Sequence, residues 1–193
     1  MGRKESLAGR AASWPLLLLA TAVAACVLAL PYAVAASFTG LIWLKALFLI
    51  LYAFLACAAP DASVRSSPSL RSFPLAAVLF SLAGVLAGYY GSLCLWRAMS
   101  ASFPGLEFPG VSPILGFLLE PGTWKGILLS PEELLDFIKH MCESGLWSWT
   151  WGGPDTPRLG FHTATLYMIW EPLFLIWLVF VSIHREARAL RSG

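Results

Sequence analysis

Charged residues are scarce in this sequence. They make up 12% of the 193 residues, about half of the roughly 25% that is typical of soluble domains, whereas hydrophobic residues make up 58%. Much of the surface must therefore face something other than water. The net charge is only +2, which is too small to suggest a nucleic-acid partner.

The sequence also lacks the spacings that mark common catalytic and metal sites. The four cysteines, at positions 26, 57, 94 and 142, include no CxxC pair, which argues against a zinc knuckle or a thioredoxin-like redox site. Adjacent helix positions point in different directions, so His140, Cys142 and Glu143 do not suggest a metal site even with His162 added. With no phosphate-binding loop, HExxH or serine–histidine–acid set either, we expect no metal, no cofactor and no catalytic residues. A disulfide between Cys94 and Cys142 stays open.

What the sequence has instead is four long apolar runs, at residues 14–36, 41–59, 73–96 and 161–183. Each is near or above the roughly 18 residues that mark a membrane-spanning helix. Backbone polar groups in hydrocarbon must be satisfied within the segment, so the runs are predicted to be helices. The fold class is therefore an all-α integral membrane protein with a four-transmembrane-helix bundle. Cleavage of the first run as a signal peptide is an open alternative.

The distribution of lysine and arginine predicts the orientation of these spans. If all four runs cross, eight cations lie on one side, in the tails 1–13 and 184–193 and in the loop between the second and third spans. The long segment 100–160 carries more acidic than basic residues. The positive-inside rule places both termini in the cytoplasm and this segment outside. A plasma membrane, with the bacterial inner membrane favoured, is the expected location.

The outer segment 100–160 contains one predicted helix. Ser130-Pro131-Glu132-Glu133 is a typical helix start, and apolar residues at helical spacing indicate an amphipathic helix over 131–144. The proline-rich stretch before it is expected to lie against the membrane surface or to pack under the helix. A turn over 147–155 follows, in which Trp147, Trp149 and Trp151 form either an interfacial belt or a recognition surface.

Two ionisable residues fall within the predicted spans. Glu171, followed by Pro172, lies near the middle of the fourth run, where a carboxylate costs about 2.5–3.5 kcal/mol on insertion scales. It is expected to join helices, with Tyr52 or Tyr89 at its level, or else to serve as an ion or proton site. Lys45 is expected to extend to the headgroups, with pairing to Glu171 as the alternative.

The third run is rich in small residues that allow close helix packing. They form two ridges with a spacing of four, one of Gly84, Gly88 and Ser92 and the other of Ala83, Ala87 and Gly91. Packing within the bundle and a homodimer face are both compatible with this pattern.

These observations favour a small non-enzymatic accessory or assembly subunit whose outer segment contacts a protein partner or the lipid surface. The alternative is a component of an ion or solute transporter or channel that uses Glu171. An enzyme acting on lipids is a more distant interpretation. Besides the lipid bilayer, the expected partners are another membrane protein or further copies of the chain, and no nucleic acid.

Overall fold

A computed structural model describes residues 7–38, 41–66, 74–103, 108–125, 131–145, 147–148 and 157–192. Within these ranges the chain is helical, and its only β-type pairings are isolated bridges. The helices, in chain order, are α1 (Leu7–Phe38), α2 (Ile42–Ser66), α3 (Pro74–Ser102), α4 (Val111–Leu119), α5 (Pro121–Lys125), α6 (Pro131–Glu143) and α7 (Phe161–Ser192).

Three helices of the described part are long and apolar enough to cross a membrane. The qualifying stretches are Leu19–Phe38 in α1, Val78–Ser102 in α3 and Phe161–Arg185 in α7. In α2 the apolar stretch Ile42–Ala58 is shorter. The chain is thus all-helical with three candidate spans, where the sequence predicts four. The difference is α2, whose apolar part ends shortly before Pro60 and Asp61.

The chain divides into two compact units. One unit comprises residues 1–28, 51–89 and 172–193. There a methyl group added at Gly84 would lie 2.9 Å from Thr21 Cγ2, and one added at Gly88 would lie 2.5 Å from Ala25 Cβ. Because the residue numbers rise together along both helices, α1 and α3 run parallel where they touch.

The second unit comprises residues 29–50 and 90–171. The end of α1 meets the end of α3 in this unit, since the rings of Phe38 and Phe103 pack edge to face with centroids 6.1 Å apart. Each of the four long helices supplies residues to both units. The buried ionisable residues described below all belong to the second unit.

The outer segment is more helical than its sequence indicates. Helix α6 occupies nearly the predicted range, ending at Glu143 before Gly145, whose φ of 61° suits glycine. Helices α4 and α5 were not predicted, because the proline-rich stretch was expected only to lie against the membrane surface or to pack under the helix. Pro113 lies in the first turn of α4 and Pro121 begins α5, and in both places the missing N–H has no helical partner to lose.

Candidate functional site

The most unusual feature of the second unit is an ion pair with no exposed surface. Lys45 Nζ in α2 lies 2.9 Å from Glu171 Oε1 in α7, and both side chains are 0% exposed. Each charge would be costly alone in hydrocarbon. Their pairing offsets part of the cost of removing both from water.

Tyr32 of α1 also bonds to the carboxylate. Its hydroxyl oxygen is 2.9 Å from Oε1 and 2.9 Å from Oε2 of Glu171, so its single proton is shared between two acceptors. A bond from a hydroxyl to a charged group contributes about 1.5–3 kcal/mol. Three helices, α1, α2 and α7, are therefore joined through one carboxylate.

The ammonium group of Lys45 is surrounded by polarisable side chains. Its Nζ lies 4.9 Å from the ring centroid of Trp96 in α3, 4.6 Å from that of Trp147 and 5.0 Å from that of Tyr167 in α7. The Met168 sulfur is 3.2 Å from Nζ. Cation–π interactions contribute about 2 kcal/mol or more when the cation is desolvated. We call this group the Lys45 cage: Tyr32, Lys45, Trp96, Trp147, Tyr167, Met168 and Glu171.

Backbone pairing holds Trp147 in the cage. The amide of Ile42, at the start of α2, donates to the Ser148 carbonyl at 3.2 Å, and the amide of Leu159 donates to the Trp147 carbonyl at 2.7 Å. The short stretch 147–148 thus runs between the beginning of α2 and the residues that precede α7. The Trp147 ring packs on that of Trp96 with centroids 5.7 Å apart, which joins this stretch to α3.

The cage is sealed by its own side chains. Glu171, Lys45 and Trp96 are each fully buried, and Trp147 is 2% exposed. The positive charge is matched by one carboxylate, one thioether and three aromatic rings. No surface of either side chain of the pair is exposed.

The structure differs from the sequence prediction for Lys45. It does not extend to the headgroups but turns inward to Glu171. The four-methylene stem that lets a lysine extend outward lets it extend inward equally far, and here the aromatic rings and the carboxylate lie inward. Trp43, beside it in sequence, is 62% exposed, as expected for a residue of the interfacial belt.

A tyrosine that depth along the helices did not suggest bonds to Glu171. Tyr52 lies in the first unit, where its hydroxyl donates to the Val85 carbonyl at 2.9 Å, and Tyr89 is buried in the same unit. The contact comes from Tyr32. Pro172 lies inside α7 directly after Glu171.

Of the remaining sequence candidates, only Trp147 belongs to the cage. Gly84 and Gly88 pack against α1, while Ala83 and Ala87 are exposed and Ser92 is buried. A methyl group at Gly91 would meet nothing within 4 Å. Trp147 is buried and cannot belong to an exposed row of rings, whereas Trp149 and Trp151 lie outside the described residues.

The charges of Lys45 and Glu171 act on the thiol of Cys142 in α6. Burial raises the pKa of its thiol, and this outweighs a hydrogen bond with Thr165 and the charge of Lys45, which act in the opposite direction. Cys94 and Cys142 are both free thiols. Within the described ranges, no three His, Cys, Asp or Glu side chains are grouped so that they could hold a metal ion.

Four members of the cage were not singled out by the sequence: Tyr32, Trp96, Tyr167 and Met168. Aromatic residues near the ends of apolar runs are typical of the membrane interface, so nothing in the pattern separates these rings from an ordinary belt. The one usable signal is the pair of intramembrane charges, which requires some neutralising environment.

Comparisons with known proteins give no lead to a family. No family model, no curated protein and no solved structure matches this chain.

Proposed function

We propose that this chain is a non-enzymatic accessory or assembly subunit of a membrane, built on four crossing helices and presenting its outer segment to a neighbour at the membrane surface. The observation that carries the proposal is the sealed Lys45–Glu171 pair. It gives the Glu171 carboxylate two structural partners, Lys45 and Tyr32. A structural role for Glu171, as a link between helices, thus accounts for its contacts with Lys45 and Tyr32.

The direction of the helices supports a fourth crossing by α2. Helices α1 and α3 run parallel where Thr21 and Ala25 face Gly84 and Gly88. The chain between Phe38 and Pro74 must therefore return across the same thickness. Helix α2 is the element that covers this return, and its 25 residues span about 37 Å at ~1.5 Å per residue. With α7 added, both termini lie on one side, in agreement with the excess of lysine and arginine in the two tails.

The cage also explains how the outer segment can act as a fixed platform. Trp147 anchors this segment to Lys45, and α6 is joined to α3 by the edge-to-face packing of Phe137 on Trp96, with centroids 5.1 Å apart. A surface held in one conformation loses little entropy when a partner binds it. This favours a protein that positions others over one that changes shape.

Purification of the tagged chain from its native membrane in mild detergent tests the accessory role. We expect a second protein at a fixed ratio to the chain. The amount recovered should fall when Lys45→Met loosens the outer segment, and it should stay unchanged for the exposed-residue control Glu132→Gln. A chain that is recovered alone from native membranes would contradict the proposal.

Reconstitution into vesicles tests the transport alternative. If Glu171 carries an ion or a proton, Glu171→Gln abolishes a flux that the wild-type chain supports, while its thermal stability in detergent stays unchanged. The accessory role predicts the reverse, with no flux from the wild-type chain and a marked loss of stability in the variant.

A further inference from the structure

Helix α4 has an apolar face that no part of the described chain covers. Val111, Leu115 and Leu119 follow one another at a spacing of four, so they form one stripe, and they are 64%, 50% and 78% exposed. The nine residues of α4 include no charged side chain. One buried residue, Ile114, faces the protein. A stripe of this kind in water would be an aggregation site.

The neighbours of α4 indicate what surrounds it. Phe117 of α4 packs on Phe103 with ring centroids 5.7 Å apart, and Phe103 directly follows the candidate span Val78–Ser102. Phe103 in turn packs on Phe38, the last residue of the candidate span Leu19–Phe38. Phe108 joins the same ring cluster, 5.7 Å from Phe38. Helix α4 is therefore attached where two spans end, which is the level of the boundary between hydrocarbon and headgroups.

Helix α6 of the same segment provides the contrast. Its exposed residues include Glu132, Glu133, Asp136, Lys139 and His140. Of its apolar residues, Leu134 and Met141 are buried and Leu135 is exposed. That helix has the water-facing pattern of an ordinary surface helix. Helix α4 differs in that its exposed face carries Val111, Leu115 and Leu119 and no charge, so the two helices are built for different surroundings.

We infer that α4 is an interfacial helix that lies in the outer leaflet of the membrane, with Val111, Leu115 and Leu119 inserted among lipid acyl chains. At ~1.5 Å per residue its nine residues span only about 14 Å, which is too short to cross the hydrocarbon core of ~30 Å. It can therefore lie along the boundary but not span it. The inference rests on the proposed topology and identifies lipid as one neighbour of the outer segment.

Because α4 carries no charged side chain, it should not select lipids by the charge of their headgroups. Interfacial helices that select anionic lipids do so with lysine and arginine on their polar face. The insertion of α4 is instead driven by the burial of apolar surface. It should be indifferent to the headgroup charge and to salt concentration.

Photocrosslinking from single positions tests this inference. We would replace Leu115 or Leu119 by p-benzoylphenylalanine in the full chain, reconstitute it into dioleoylphosphatidylcholine vesicles, illuminate it and identify the adducts by mass spectrometry. Leu166, which is 67% exposed on the candidate span of α7, is the control for lipid contact. Glu132, exposed in the first turn of α6, is the control for contact with water.

We expect lipid adducts at Leu115 and Leu119 with yields close to that at Leu166 and several-fold above that at Glu132. The yields should be unchanged in vesicles that contain dioleoylphosphatidylglycerol. Adducts to a second copy of the chain, yields no higher than at Glu132, or yields that require the anionic lipid would each overturn the inference. If Leu166 also fails to capture lipid, the proposed topology fails; if Leu166 succeeds and α4 does not, only the interfacial role of α4 fails.

Discussion

The Tyr32 hydroxyl lies 2.9 Å from each of the two carboxylate oxygens of Glu171. This places a hydroxyl donor from α1 against a carboxylate in the middle of α7. Because the carboxylate is paired with Lys45 and fully buried, the bond should contribute more than a bond between two neutral groups. The stability that is lost when this bond is removed therefore measures how strongly Tyr32 is bound to Glu171.

Replacing Tyr32 by phenylalanine removes this donor and leaves the ring. We expect Tyr32→Phe to lower the free energy of unfolding by about 1.5–3 kcal/mol. The matched control is Tyr52→Phe, which removes a bond to the Val85 carbonyl and should cost only about 0.5–1.5 kcal/mol. Reversible unfolding in mixed detergent micelles, followed by circular dichroism, measures both values. Equal losses would mean that the carboxylate is not charged.

Removing one charge of the Lys45–Glu171 pair should lower the free energy of unfolding much more than removing both. Glu171→Met or Lys45→Met leaves an unpaired buried charge, which we expect to cost about 3–5 kcal/mol. The double variant replaces the pair with apolar side chains of similar length and should recover most of this loss, since buried ion pairs are often no more stable than hydrophobic replacements.

The same unfolding measurement on the wild type, the two single variants and the double variant gives the coupling energy of the pair. The exposed glutamate of α6 supplies the control, because Glu132→Met should change stability by less than about 0.5 kcal/mol. A double variant that is as unstable as the less stable single variant would show that the pair is not a mutually compensating link.

Close packing of α1 on α3 is tested at Gly88. An added methyl group would lie 2.5 Å from Ala25 Cβ and 2.9 Å from the Tyr52 hydroxyl, so Gly88→Ala must force the helices apart, at a cost of about 1–3 kcal/mol. The control is Gly91→Ala in the same helix, where a methyl group meets nothing within 4 Å. There the better helix propensity of alanine should leave stability equal or higher. Thermal unfolding in detergent compares the two variants.

The raised pKa of Cys142 predicts a dependence of stability on alkaline pH. Its cause is burial, which disfavours the thiolate in the folded protein. As the pH rises above the ordinary thiol pKa of 9.0, the unfolded chain releases this proton first, so the folded state loses stability. At lower pH both states keep the proton and the contribution is constant.

Comparing the wild type with Cys142→Ala isolates this effect from the titration of other groups. The difference in unfolding free energy between them should be constant at neutral pH and should move in favour of Cys142→Ala above about pH 9. Alkylation of the thiol should accordingly require higher pH than that of the same cysteine in the unfolded chain. A difference in unfolding free energy that stays constant across this pH range would contradict the burial of the Cys142 thiol.

The sequence indicated the helices well but the contacts between them poorly, for identifiable reasons. Long apolar runs predict helices because hydrocarbon leaves the backbone no other solution. Glu171 stood out because a carboxylate there is costly. Lys45 was only the alternative partner and Tyr32 was not considered, because depth along a helix gives the level of the Cα atom, whereas the long side chains of Lys45 and Glu171 cover the remaining distance between helices.

Trp147 illustrates what a local pattern cannot give. Alternation predicts that the rings of Trp147, Trp149 and Trp151 share a face in an extended strand, but not whether that face is covered. It is covered at Trp147 because Ser148 pairs with Ile42, more than a hundred residues earlier in the chain. Such pairing depends on the tertiary arrangement, which periodicity does not encode. Helix α4 was missed for a different reason. A proline is compatible with the first turn of a helix, but the start of the helix must be known before its proline can be assigned to that turn.

Reporter fusions test whether α2 crosses the membrane. We would fuse a pair of reporters, one active only in the cytoplasm and the other only outside it, after residues 69, 140 and 193. Four crossings predict cytoplasmic activity at 69 and 193 and external activity at 140. Because the number of crossings between fusion points sets the side, a chain in which α2 does not cross and the N-terminus stays cytoplasmic gives the reverse at all three positions. That reversed result would rule out both the parallel arrangement of α1 and α3 and the exterior location of α4.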